Sequence, residues 1–198
     1  EIAVSNSERI GHMVNELLDL KRIQVSGAAL KIGRSNLAGI IDEVEIGTSN
    51  IWVLAEPEMI DSAVAELEDL PKAMQVATSY VTPYVWGPYK IIVLPPAFPI
   101  GGMENPLLTF ASPSIIVGDK SSVNVANHEL AHSWSGNLVT NMNWNNFWLN
   151  EGFTVFLERK ITKKLIADEK TANLTYKVAA TVGNNSMVTS MNNYGMTN

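Results

Sequence analysis

The sequence predicts an α+β fold in which a small mixed sheet packs on helices, and three observations support it. Two short runs are apolar and rich in β-branched residues, Ile51-Trp52-Val53-Leu54-Ala55 and Lys90-Ile91-Ile92-Val93-Leu94, each stopped by a proline close behind it. Elsewhere apolar residues recur at three- and four-residue steps, the spacing of one buried helix face. Hydrophobic residues make up 46% of the 198 positions and charged residues 17%, the balance of a globular domain with a core of its own.

Residues 6–24 read as an amphipathic helix through Ile10, Val14 and Leu17, capped at Asn6 or Ser7 and ended by Gly27. Such a helix needs a partner to be stable. Gly47-Thr48-Ser49-Asn50 is a turn cluster and marks a seam. After the first strand, Met59, Ile60, Val64, Leu67 and Leu70 share one helix face, and Pro71 either kinks this helix or opens a second one. Following the second strand, Gly101-Gly102 allows close backbone approach. Leu107–Phe110 and Ser114–Val117 then read as two short strands. Ser121 or Ser122 is placed to cap a helix carrying Val125, Leu130 and Trp134 inward, ended by Gly136-Asn137. A further helix runs from about Asn150 to Leu165, with Val155, Leu157 and Ile161 toward the core, and Trp134, Trp144 and Trp148 read as core packing. The pattern weakens past Ala167. The chain thus divides into an amphipathic helical segment at 1–46, a core at 47–182, and a loop or frayed end at 183–198.

The chemistry gathers in His128-Glu129-Leu130-Ala131-His132, followed after eighteen intervening residues by Glu151. Positions i and i+4 of a helix lie on one face, so the two imidazoles converge. Two such histidines can be a surface accident; the downstream carboxylate in its own helical segment favours a metal. Neutral imidazole and carboxylate are the ligands Zn²⁺ takes in open catalytic sites, where the fourth position holds water. One zinc per chain is therefore expected on His128, His132 and Glu151, with Glu129 as general base. Glu158, seven residues after Glu151, faces roughly the same side and either orients a ligand or makes a surface ion pair.

Composition narrows the alternatives. The formal charge is −6 and no dense basic stripe exists, which argues against nucleic acid. Cysteine is absent, which excludes disulfides and thiolate zinc sites. No apolar run has the length of a membrane span. No signal-peptide pattern is visible, which reads as cytoplasmic, and the first residue is Glu1 rather than Met, as in a fragment or a processed chain.

With these motifs in hand, residues 51–165 resemble the catalytic core of zinc aminopeptidases of peptidase family M1, in the leukotriene-A4 hydrolase branch. The resemblance rests on Pro83–Tyr89, Leu94–Pro99, Gly101–Pro106, Gly118-Asp119-Lys120 and His128–Glu158, in order. It implies a zincin, thermolysin-like core acting on peptides with a free N-terminus. It implies zinc on His128, His132 and Glu151, and Glu129 as base. Gly101, Gly102, Met103, Glu104 and Asn105 become the edge that lays out the substrate, with Glu104 on its α-amine. A fixed carboxylate suits a lone ammonium, though a solvated loop carboxylate is the alternative.

The sequence departs from the family pattern in three places. Ile100 stands where the eukaryotic leukotriene hydrolases carry Tyr, so their lipid-epoxide activity is not carried over. A helical stretch, residues 1–45, resembling a sensor histidine kinase dimerisation helix replaces the family's preceding β-sandwich, and self-association through it is expected. His12 in that stretch reads as an ordinary surface residue. The family's transition-state Tyr belongs to a later helix, and Tyr176 and Tyr194 lie outside its motif. A zinc-binding fragment with little catalysis and a helical dimerisation module are therefore the competing readings.

Overall fold

The computed structural model describes residues 41–195. The helix expected at 6–24, His12, and most of the segment expected to self-associate lie outside the described residues.

The expected strands form. A five-stranded sheet runs in the order β1-β2-β3-β5-β4, with β1 Asp42–Glu45, β2 Ile51–Ala55, β3 Tyr89–Val93, β4 Gly102–Met103 and β5 Thr109–Ala111. Strands β2, β3 and β5 are parallel, while β1 and β4 flank them antiparallel. The sheet is therefore mixed. Burial alternates along β2 and β3, with Ile51, Val53, Ala55, Tyr89, Ile91 and Val93 on the inner face. That period of two identifies the face packed on the helices.

Two helices follow β2: α1 Ile60–Leu67 and α2 Leu70–Tyr80. Pro71 sits in the first turn of α2, so it opens a second helix rather than kinking one. Ala63, Leu67, Leu70, Ala73 and Ala77 are fully buried; the first of these helices packs on β1 and β2, and the second on the two helices that follow it. The buried Glu66 carboxylate accepts hydrogen bonds from the backbone N–H groups of Gly118 and Lys120, both at 2.8 Å. That pins the loop leading into the next helix.

Helices α3 Asn124–Ala131 and α4 Phe147–Leu165 carry the motif and pack against each other. Leu130, Trp134 and Ile161 are buried, as expected, together with Ala131; Val125 and Leu157 pack against the same core, while Val155, also expected there, is not part of it. Trp134 donates its indole N–H to the Thr82 carbonyl at 3.0 Å, and the Trp86 indole donates to that of Ser133 at 2.9 Å. These bonds tie the end of α3 to the segment before β3.

Several expectations are corrected. Pro113–Ile115 is a 3-10 turn, not part of a strand at 114–117, because Ser112 caps it with its own side chain and Pro113 lacks the N–H a ladder needs. No side-chain cap from Ser121 or Ser122 precedes α3, whose N-cap position is Val123. Trp144 and Trp148 are 64% and 67% exposed, so of the three tryptophans only Trp134 belongs to the core. The Gly47 turn lies within a hairpin joining β1 to β2, so the seam expected there falls inside one sheet.

The stretch at 183–198, expected to be loop or frayed end, is helical to Asn193 within α5, Glu169–Asn193. Asp168 caps this helix by accepting from the Thr171 N–H at 2.7 Å. The helix runs through Gly183, where a Cβ would lie 2.3 Å from the Arg159 guanidinium of α4. The missing side chain is where the two helices approach. No described helix is long and apolar enough to cross a membrane.

Leu130→Ala empties a fully buried site beside the motif and should cost about 2–5 kcal/mol in urea unfolding. By contrast, Trp148→Ala should change stability by less than about 0.5 kcal/mol, as expected of an exposed position.

Candidate metal centre

Helix α3 sets two imidazoles one turn apart, and α4 brings a carboxylate across to meet them. His128 Nε2 and His132 Nε2 lie 3.1 Å apart. Glu151 approaches them at 3.3 Å through Oε2 and 3.6 Å through Oε1, respectively. Ligand atoms of all three residues fall within 4.8 Å of one another. The trio named from the sequence is thus brought together.

The other ring nitrogens are occupied. His128 Nδ1 faces Glu158 Oε2 at 3.0 Å, and Glu158 Oε1 accepts from Asn124 at 3.1 Å. His132 Nδ1 faces the Ser135 carbonyl at 2.8 Å. Carboxylate and carbonyl oxygens only accept, so each Nδ1 carries the proton. In the neutral rings both Nε2 atoms then present lone pairs to each other, an arrangement that repels unless something positive lies between.

A metal ion satisfies that requirement. Two nitrogens bound tetrahedrally to zinc at about 2.0–2.1 Å stand about 3.3 Å apart, close to the separation found. The donor set, two imidazoles and one carboxylate, matches open zinc sites. Without an ion, a proton takes its place. Burial opposes charge on His128, but Glu151 and Glu158 outweigh it and push its pKa up to about 10. His132 shifts upward as well, with burial opposing and Glu151 prevailing. The two histidines in turn hold Glu151 down at about 2.

Glu129 is buried on α3 beside the trio, and its Oε2 has no hydrogen-bond partner among the described residues. Burial pushes its pKa up to about 7; His128 and His132 oppose that rise, while Glu104 and Glu151 add to it. Its other oxygen rests against strand β4, where a Cβ on Gly102 would lie only 2.4 Å away. The close approach expected of the paired glycines is therefore to Glu129 itself.

The rest of the 101–105 segment also borders the site. Glu104 Oε1 lies 3.9 Å from His132 Nδ1, and its side chain is 15% exposed, so it is no solvated loop carboxylate. Met103 lies in β4, the outer strand of the sheet, and Asn105 has a buried side-chain nitrogen without a partner. The Gly101 carbonyl accepts from the Ser112 N–H at 2.9 Å.

Three residues to which the sequence reading gave no site role also border the site. Asn137 donates to the Glu104 carbonyl at 2.8 Å. Thr154 and Ser135 lie against His132. One turn of helix separates Thr154 from Glu151, a spacing that was the available signal.

Residues 65–196 match the peptidase family M1 domain. The chain belongs to peptidase family M1. Leukotriene A-4 hydrolase of Xenopus laevis is 42% identical over 163 residues, 82% of this chain and 26% of that protein. Leucine aminopeptidase 2 of Ajellomyces capsulatus is 53% identical over 125 residues, 63% of this chain and 20% of that one. The fold resembles that of yeast LTA4 hydrolase in complex with bestatin, with a TM-score of 0.61 and 46% identity over 63% of this chain and 20% of that one. The chain therefore spans about a fifth to a quarter of the length of these M1 relatives. The zincin-type core expected from the sequence agrees with these matches.

Because the folded pKa of His128 lies above its unfolded value near 6.5, the metal-free fold binds more protons than the unfolded chain between the two. The contribution of His128 to stability is fully present below about pH 6.5 and is lost as pH rises through about 10. Urea midpoints of the metal-free chain should trace that decline, and Glu151→Gln should flatten it.

Proposed function

We propose that this chain is the zinc-binding catalytic core of an aminopeptidase, acting on peptides with a free N-terminus in the cytoplasm. One observation carries the proposal: His128, His132 and Glu151 converge on one point, and the unpartnered buried oxygen of Glu129 stands beside it.

His128, His132 and Glu151 would hold one zinc ion. When bound, zinc supplies a Lewis acid that polarises the scissile carbonyl and lowers the pKa of water. The rest of the chemistry belongs to the chain. Glu129 accepts a proton at its carboxylate as the water oxygen adds to the carbonyl carbon of the first peptide bond. It then delivers that proton to the departing amine as the C–N bond breaks. Burial, which makes this carboxyl a poorer acid, also makes the carboxylate a better base.

Among the described residues strand β4 is paired on one side only, and an extended peptide would align along its other edge at Gly102 and Met103. Glu104, from the next turn of the chain, takes the α-ammonium group. Its distance from the site would fix the cut at one residue from the end. Asn137 holds the Glu104 backbone in place. Glu158 and Asn124 orient His128.

The second reading, zinc uptake with little turnover, is favoured by the share of the M1 relatives that the chain spans. Zinc content together with hydrolysis of aminoacyl anilides separates the two readings. Bound zinc without hydrolysis supports the second, and absence of zinc overturns both.

Glu129→Gln should keep zinc at one ion per chain and lose about 10²–10⁴ in kcat. Retained turnover would remove Glu129 from the chemistry. Glu104→Gln should raise KM for substrates with a free amine while leaving zinc content unchanged. Activity should fall as pH drops and Glu129 protonates, with a midpoint below about 7, because a bound cation stabilises the carboxylate.

A further inference from the structure

The two zinc-facing histidines are oriented in different ways. His128 leans on a carboxylate, Glu158. His132, only 1% exposed, leans on a backbone carbonyl, that of Ser135, in the irregular segment just past α3. A carbonyl in such a segment orients a ring only if something holds the carbonyl. The candidate is Thr154, a fully buried residue on the neighbouring helix.

Thr154 Oγ1 lies 2.8 Å from the Ser135 carbonyl, 2.6 Å from the Ser135 hydroxyl, 2.7 Å from the Asn150 carbonyl and 3.1 Å from His132 Nδ1. A hydroxyl has one proton to donate and two lone pairs to accept with. It donates to one of the two carbonyls and accepts from the Ser135 hydroxyl, which leaves one acceptor position facing the imidazole N–H. The Nδ1 proton of His132 is thereby shared between two oxygens and cannot move to the other ring nitrogen without losing both of these hydrogen bonds. The space is closed on the remaining side, since a Cβ on Gly136 would lie 2.8 Å from His132 Nδ1.

Resting on the zinc reading above, we infer that Thr154 is the positioning residue of the site. Its hydroxyl joins the helix that carries Glu151 to the segment that holds His132, and so sets the distance between these two metal ligands. It touches neither metal nor substrate. The residue lies three positions after Glu151, so the same turn of α4 supplies the carboxylate ligand and the anchor for the opposite imidazole.

The test compares hydroxyl with no hydroxyl at constant bulk. Thr154→Val keeps the shape and removes the oxygen, while Thr154→Ser keeps the oxygen. Should valine prevent folding, Thr154→Ala against Thr154→Ser isolates the hydroxyl with the methyl absent from both. The measured quantities are the zinc dissociation constant by chelator competition and the Nδ1 proton resonance of His132 in the zinc-loaded chain.

The valine and alanine variants should bind zinc about 10–100-fold more weakly, and serine should stay within about threefold of the parent. The His132 Nδ1 proton should exchange with solvent faster in valine and alanine alone. Unchanged zinc affinity in valine and alanine overturns the inference, as does a serine variant that falls as far as alanine. A parent chain that takes up no zinc overturns the underlying metal reading and this inference with it.

Discussion

The site depends on an electrostatic conflict that the fold imposes. Two imidazoles, each with its outer nitrogen committed as a donor, turn their remaining lone pairs toward each other at 3.1 Å. Such a pair is tolerable only with a positive charge between or beside it. In the metal-free chain that charge is a proton, which is why His128 titrates so high with Glu151 and Glu158 on either side. A divalent cation meets the same requirement better, because it satisfies both nitrogens and the carboxylate together. On the zinc reading, metal binding and proton release would be two descriptions of one exchange.

Rigidity around this conflict comes from places where polar groups are buried in pairs. The Glu66 carboxylate holds the approach to α3 through two backbone N–H groups. Trp134 and Trp86 fix its far end through their indole N–H groups. Thr154 of α4 holds that end through the carbonyl and hydroxyl of Ser135. Each of these contacts spans more than fifteen positions of sequence, so the ligand geometry is a property of the packed core and not of one helix. On the other side, β4 lays its glycine against Glu129, so the carboxylate is confined between helix and sheet edge with one oxygen left free.

Much of the surface away from this centre is apolar. Leu138, Val139, Met142, Trp144, Trp148, Phe153 and Phe156 are all exposed on or near the segment joining α3 and α4. The tryptophans there were expected in a core because large indoles usually are. Their exposure reflects position: they precede the buried face of α4, whose inward residues are Asn150, Thr154 and Ile161.

The sequence alone determined the elements whose signal is local. Two β-branched runs became β2 and β3, a proline in the first turn opened α2, and the i, i+4 histidines converged because helix geometry permits nothing else. Spacing also named Glu151 and pointed to Glu158. Tertiary structure decided what depends on neighbours remote in sequence. The polar, glycine-containing stretch after Val182 reads as loop, yet it continues a helix that Asp168 caps at its start and that packs along α4. Ser135 and Thr154 look ordinary in the chain, and only the crossing of two helices turns their oxygens toward His132. A hydroxyl's partners are set by what is packed around it, and one-dimensional spacing does not carry that information.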